Sequence, residues 1–446
     1  MKHDHSTEEY ISEVQQQIRW KRARKIATHE LADHIEDRKE ALMGKGLDEN
    51  AALSAAIADM GDPRKIGSEL DMVYRPKVNL LLIELTAAFL ILGAGISYLS
   101  EGIISVSQII SVLIGIFSAV VLYFSDYTVM LRHPLMIYFI HMFITAALLV
   151  YEARNGFEMI GYSYTFYFLM LFPVSLTVVA ADLKNQHRKF GLFVFTCYAI
   201  PLFLTAFLLS SLPGMTMILI TYMMLACFGI RKHWFSLSYI GVAVWIGLIL
   251  AVVFGMWYIS NFFHLSFFFT NTGDEFVQRM ISDAVFSADM WGSSKFRIIN
   301  NKEEFLRENY PFVILLNKYG YFAVGCIIAL FVGLLAVMIH TARKQKTEIG
   351  KITAWSSFFV IAFQLLCSVI CHFANFGSMS MCIPFLLSGG AFTVIDLILI
   401  GMVLSVSRHE DMIREWIRYK DRKASVSTNE SDPINQWFYQ LVHSKE

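Results

Sequence analysis

The chain has 446 residues, with 37 Lys plus Arg against 37 Asp plus Glu, so its net charge of zero points to neither nucleic acid nor an acidic partner. Hydrophobic residues make up 56% and charged residues 17%, with a mean hydropathy of +0.51, whereas a soluble domain carries about 25% charged residues. Apolar runs recur from Val78 to Ser407, each near the roughly 20 residues that a helix needs to cross a hydrocarbon core of about 30 Å. A soluble enzyme is excluded. The composition describes an all-α, polytopic membrane protein.

Residues 1–76 read as a separate small cytoplasmic helical bundle. Glu8 to about Lys45 is charge-rich and helical in pattern, with Gly44 and Gly46 as stop signals. Asp48 is placed to cap a second run, AALSAAIADM, which Gly61 ends. Asp62-Pro63 then restarts a short helix, with Asp as cap and Pro in the first turn. The basic run Arg19, Lys21, Arg22, Arg24 and Lys25 fits either anionic lipid or a solvated helix face. The N-terminus is polar and shows no cleavable signal peptide.

The membrane domain covers residues 77–408. Its apolar runs predict about ten spans near 78–99, 103–124, 134–151, 161–180, 190–210, 214–230, 238–260, 312–340, 352–374 and 383–407. One set of alternate connectors holds Arg132; Lys184, Arg188 and Lys189; Arg231 and Lys232; and Arg343, Lys344, Lys346 and Lys351. The other set is nearly free of cations among its short members, Arg154 excepted. The positive-inside rule then makes both termini cytoplasmic and the connector at 261–311 exterior. The tail, 409–446, is polar, and His409 to Lys423 reads as an amphipathic surface helix. None of the six cysteines forms a C-x-x-C pair, which argues against a metal or disulfide framework. Cys367 and Cys371 share a helix face and read as packing residues.

Segment 261–311 is the one long hydrophilic stretch inside the apolar region, and loops of this length tend to carry function. Its carboxylates are Asp274, Glu275, Asp283, Asp289, Glu303, Glu304 and Glu308. Of its cations, Lys295, Arg297, Lys302 and Arg307 fit contact with a phosphate-bearing donor or ordinary solvation. Asp274 to Gly292 carries Phe276, Met280, Ile281, Ala284 and Val285 at helical spacing, as expected of an interfacial helix that either borders a substrate entrance or merely covers the helix ends. Glu84, His141 and Asp396 fall within apolar spans; such groups are costly in a bilayer and usually face a bundle interior or cavity.

Two families are resembled. In the N-terminal module, His34-Ile35-Glu36-Asp37, Gly46, Ala51-Ala52 and Met60-Gly61-Asp62-Pro63 resemble the HAAS-type helical domain found ahead of membrane domains in Firmicute proteins. That resemblance implies regulation or partner contact. In the membrane domain, Asn375-Phe376-Gly377, Ile383 through Gly390, Ile400-Gly401 and Leu404 through Arg408 resemble the end of the SEDS family of cell-wall proteins (the FtsW, RodA and SpoVE types). Ser125-Asp126-Tyr127 with Leu131-Arg132, and Phe305-Leu306 followed by a helix holding Gly320 and Gly325, match further family stretches.

The SEDS resemblance implies a glycosyltransferase that polymerises peptidoglycan from lipid II, or by an older assignment a lipid II flippase, at the bacterial cytoplasmic membrane. A class B transpeptidase is the implied partner. Ser388, Gly389 and Gly390 would belong to the substrate-binding residues. The family carries an Asp in the exterior loop where Asn309 stands here. A neutral amide cannot take the proton from an attacking sugar hydroxyl. Either Glu308 or another loop carboxylate replaces that base, or the chain is a non-catalytic regulatory or scaffolding relative. Asp396 falls where the family commonly has Asn. No cofactor is evident, and a divalent cation at a pyrophosphate site has no residue pattern behind it.

Overall fold

The computed structural model describes residues 2–74, 78–101, 104–125, 127, 133–155, 164–185, 191–208, 212–235, 281–292, 311–345, 347–373, 383–386 and 390–408, with 245, 247, 251, 255 and 279 singly. The chain divides into a unit ending at Val78 and a second unit from Asn79 to Ser407.

The first unit holds α1 (Lys2–Gln17), α2 (Lys21–Met43), α3 (Glu49–Met60) and α4 (Pro63–Tyr74). The charge-rich run from Glu8 to Lys45 is therefore two helices, not one. The break at Ile18–Trp20 is held by Arg24, whose Nε donates to the Ile18 carbonyl (2.6 Å), and by the Arg19 N–H, which donates to Asp71 Oδ1 (2.8 Å). Two of the five basic residues thus serve the module's own turn. Tyr10 and Val14 on α1 with Ile18 just beyond it, and Ala23, Ala27, Leu31 and Ile35 on α2, repeat every four residues and bury one stripe against Leu53 and Ala56. Asp48 caps α3 by accepting from the Asn50 N–H, and Asp62 does the same for the Arg64 N–H at the start of α4. Lys39 bridges Glu36 on its own helix (3.0 Å) and Glu49 on α3 (3.2 Å). Those hydrogen bonds, Glu36 first and Glu49 second, hold its ammonium pKa above the ordinary value.

The second unit is helical throughout its described elements: α5 (Leu80–Glu101), α6 (Val106–Phe124), α7 (Pro134–Asn155), α8 (Tyr164–Leu169), α9 (Phe172–Asn185), α10 (Gly191–Leu208), α11 (Leu212–Arg231), α12 (Pro311–Lys344), α13 (Glu348–Phe373) and α14 (Gly390–Arg408). Among the described residues seven helical stretches are long and apolar enough to cross a membrane. The chain is a multi-pass helical membrane protein. The expected span 238–260 lies mostly outside the described residues. The expected span 161–180 is two helices broken at Met170-Leu171, just ahead of Pro173, whose missing N–H would otherwise interrupt the ladder. The expected span 383–407 starts later, at Gly390, because Ile383–Leu386 is a turn.

Burial ranks the helices. The α8–α9 span is mostly buried, whereas α6 and α7 expose apolar faces such as Leu113, Phe117, Val121 and Phe139, Phe143, Val150. A face of that kind meets lipid, not water. α6 and α14 touch backbone to backbone: a Cβ on Gly401 would sit 2.7 Å from Ala119 Cα. Small residues permit such close crossings in membranes.

The connectors rich in Lys and Arg meet at one end of this unit. Lys184 Nζ in the last turn of α9 and Lys232 Nζ after α11 reach Glu348 at the head of α13 at 2.8 and 3.3 Å, and Trp234 Nε1 donates to the same carboxylate at 3.0 Å. Beside them Tyr127 OH lies 2.8 Å from Thr347 Oγ1, and Ser405 Oγ donates to the Ser125 carbonyl at 2.7 Å. Two sequence stretches that are distant along the chain, Ser125–Tyr127 and Leu404–Arg408, are neighbours here. We call this the basic end and the opposite one the loop end.

Gly401→Ala is expected to lower the thermal midpoint of the detergent-solubilised protein by an amount corresponding to about 1–3 kcal/mol of overpacking. Unchanged melting would show that α6 and α14 separate freely at this crossing.

Candidate functional site

Three features build the loop end. The first is a turn inside the helical bundle. Pro384 and Phe385 occupy its central positions, with Phe385 at φ +61°. Pro followed by a positive φ is the pattern of a type II turn, which ordinarily uses Gly at the second position. A bulky residue there costs about 1–2 kcal/mol. The Phe385 ring is fully buried, 6.0 Å from Phe89, which stacks at 4.2 Å on Phe331. Phe89 lies mid-way along α5 and Phe331 well inside α12, so the chain re-enters to mid-span depth before α14 begins. Irregular backbone at such depth survives only when protein groups satisfy it. Asp396, fully buried on α14, supplies that satisfaction: its Oδ2 accepts the Phe385 N–H at 3.1 Å. The buried Gln364 side chain of α13 hydrogen-bonds the same carboxyl group.

The second feature is a kink. α12 is continuous except at Gly320, which has φ +82° and ψ 178°. Asp289 and Met290 of the loop segment run into that gap: their carbonyls accept the N–H groups of Tyr321 (3.1 Å) and Phe322 (3.2 Å). These two donors open the helical stretch beyond the kink and have no partner within it. The loop backbone therefore acts as a helix cap. Only glycine fits, since a Cβ would stand 2.6 Å from the Asp289 carbonyl oxygen and the φ is left-handed. Tyr321 OH adds a bond to the Val285 carbonyl (2.8 Å), and Trp291 stacks on Phe322 at 4.1 Å.

The third feature satisfies the broken α8–α9 span. Glu152 of α7 is buried and accepts the Thr165 N–H at 3.1 Å at the head of α8. His141 is buried too, its Nε2–H donating to the Phe168 carbonyl (3.1 Å) and its Nδ1 lying 3.0 Å from Ser175 Oγ. His141 mends backbone that a continuous helix would have paired, whereas Glu152 caps a helix head whose first N–H groups have no partner of their own.

No family model and no curated protein matches this chain by sequence. Solved structures do match. A chain from a peptidoglycan synthase complex, studied for how it coordinates polymerization and crosslinking, superposes with TM-score 0.57 at 16% identity, over 75% of this chain and 98% of that one. The rod shape determining protein RodA of Thermus thermophilus superposes with TM-score 0.50 at 15% identity, over 75% and 97%, and a point mutant of it with TM-score 0.52 at 16%, over 75% and 98%. The membrane part has the RodA fold.

Within that RodA fold the expected site residues separate. Glu308, Asn309, Lys295, Arg297, Lys302, Arg307, Ser388 and Gly389 lie outside the described residues, as do Asp274, Glu275, Glu303 and Glu304. Gly390 opens α14, and Asp396 faces the interior as expected. Glu84 does not: it is exposed on α5. It lies four residues from the helix start, about 6 Å, so its carboxylate can reach the basic-end interface. Ile281 and Ala284 of the expected interfacial helix are buried, with Val285 packed on the core, so this face of the segment covers the bundle. Asp283 and Asp289 are exposed. Among the described residues no group of three His, Cys, Asp or Glu side chains is placed to hold a metal ion. Sequence reasoning missed Gln364 and Glu152. Gln364 carried a signal, being a lone amide inside an apolar span, whereas Glu152 sits beside Arg154 and reads as connector.

Asp396→Asn keeps an acceptor for the Phe385 N–H and is expected to change stability by less than about 1 kcal/mol, whereas Asp396→Leu orphans that N–H and costs about 1–3 kcal/mol. Thermal melts of both variants in one detergent test this, and equal midpoints would remove Asp396 from the turn's support. Gly320→Ala is expected to displace segment 285–291, seen as faster protease cleavage there. Wild-type cleavage rates would show that the cap tolerates a side chain.

Proposed function

We propose that this protein acts in peptidoglycan synthesis at a bacterial cytoplasmic membrane, with both termini cytoplasmic and the loop end outside. Its substrate on this reading is lipid II, and its reaction is glycan polymerisation. The observation that carries the reading is the fold likeness over nearly the whole length of the matched structures. The meeting of Ser125 and Tyr127 with Thr347 and Ser405 supports it, since Ser125, Tyr127 and Ser405 carried the SEDS resemblance in sequence.

In the proposed reaction a sugar hydroxyl attacks the anomeric carbon that bears the lipid pyrophosphate. A base takes the hydroxyl proton, and cations steady the departing phosphate. Glu308 is the assigned base, and Lys295, Arg297, Lys302 and Arg307 are the assigned cations. Ser388, Gly389 and Gly390, which follow the turn in sequence, are the assigned substrate-binding residues. A class B transpeptidase is the assigned partner. A second reading, a non-catalytic relative that regulates the wall machinery, is favoured by Asn309 standing where the family has Asp.

The test is polymerisation of lipid II by purified protein. Wild type is expected to build glycan, and Glu308→Gln to lose at least about 100-fold in rate, the lower range for removing a general base. An inactive wild type that gains activity as Asn309→Asp would replace the enzymatic reading with the regulatory one.

A further inference from the structure

The apolar surface of the loop segment faces the wrong way for a segment that only covers the bundle. Ile281 and Ala284 already bury its inner side. Yet Phe286 is 86% exposed, Met290 64% and Trp291 67%, all within six residues. Clustered large apolar side chains in water mark an interaction surface.

Geometry says what covers them. Trp291 stacks on Phe322, which is exposed on α12. Phe322, Cys326, Ala329, Val332 and Ala336 are all exposed and follow one another at three- or four-residue steps, so they form one stripe down the helix. In a multi-pass protein that stripe is lipid-facing. The depth also fits. Arg343 and Lys344 fix one interface at the basic end, and Phe322 lies about 32 Å along the helix from Arg343 at 1.5 Å per residue. A hydrocarbon core is about 30 Å thick. Phe322 therefore reaches the opposite hydrocarbon boundary, where Trp and other amphipathic rings concentrate. Above it, Gly320 kinks the helix, and segment 281–292 meets it there.

We propose that Phe286, Met290 and Trp291 form an interfacial membrane anchor, seated in the lipid leaflet at the loop end and continuous with the lipid-facing stripe of α12. The occupant is the headgroup–acyl boundary of the bilayer. The anchor holds segment 281–292 at a fixed depth, while the backbone cap at Gly320 holds it at a fixed position. The inference needs the membrane-spanning fold but no particular reaction.

The test is Trp fluorescence of full-length protein in nanodiscs of phosphatidylcholine and phosphatidylglycerol, with ordinary acyl chains or with chains brominated near the headgroup. The emission of Trp291 is taken as wild type minus Trp291→Phe. It is expected to be blue-shifted in ordinary lipid and to lose most of its intensity in brominated lipid. Met290→Trp in the Trp291→Phe background is a second reporter of the same surface and is expected to be quenched likewise. Equal intensity of both reporters in the two lipids would overturn the proposal and assign the patch to water or to a protein partner.

Discussion

Hydrocarbon offers a peptide group nothing to bond to, and the departures from helix described in the second unit are met by specific partners. The turn at Ile383–Leu386 uses the Asp396 carboxylate. The break at Met170-Leu171 uses His141, and the head of α8 uses Glu152. The kink at Gly320 uses two carbonyls from the loop. Remove these partners and each irregular stretch would leave buried donors or acceptors unmet, at about 1–3 kcal/mol apiece. The irregularities sit mainly toward the loop end, while the basic end is closed by Glu348 and its two lysines. One end of the bundle is shaped; the other is fastened.

That division explains how far the sequence could be read. Helix existence followed from apolar length, and the basic connectors did gather at one end, as Lys184, Lys232 and Glu348 show. Asp48 and Asp62 were legible as caps because capping is local chemistry. For Ile281 and Ala284 helical periodicity gave an apolar face but not what covers it, and the structure supplies the bundle as the cover. Phe385 at positive φ was invisible because turn rules put Gly there, and only the distant Asp396 makes a Phe tenable. Glu84 was misread for a different reason: its distance from the helix end mattered more than its charge.

The SEDS resemblance tolerates some exchanges and forbids others, and the structure says which. On that resemblance Asp396 falls where Asn is expected, and both are acceptors that can receive the Phe385 N–H. The turn therefore tolerates that exchange, whereas Gly320 tolerates none. The fold likeness at 16% identity is consistent with this. A few positions are fixed by backbone geometry, and most of the apolar surface is constrained only to remain apolar.

The cap at Gly320 has a consequence for grafting. A loop joined to a scaffold only through its ends can be exchanged for another of similar reach. This one cannot, because the carbonyls of Asp289 and Met290 complete the part of α12 that starts afresh beyond its kink. A chimera carrying a relative's loop would have to bring with it the stretch that meets the kink, or that part of α12 would begin with two open amides at the edge of the bilayer. Loop and helix are one inherited part.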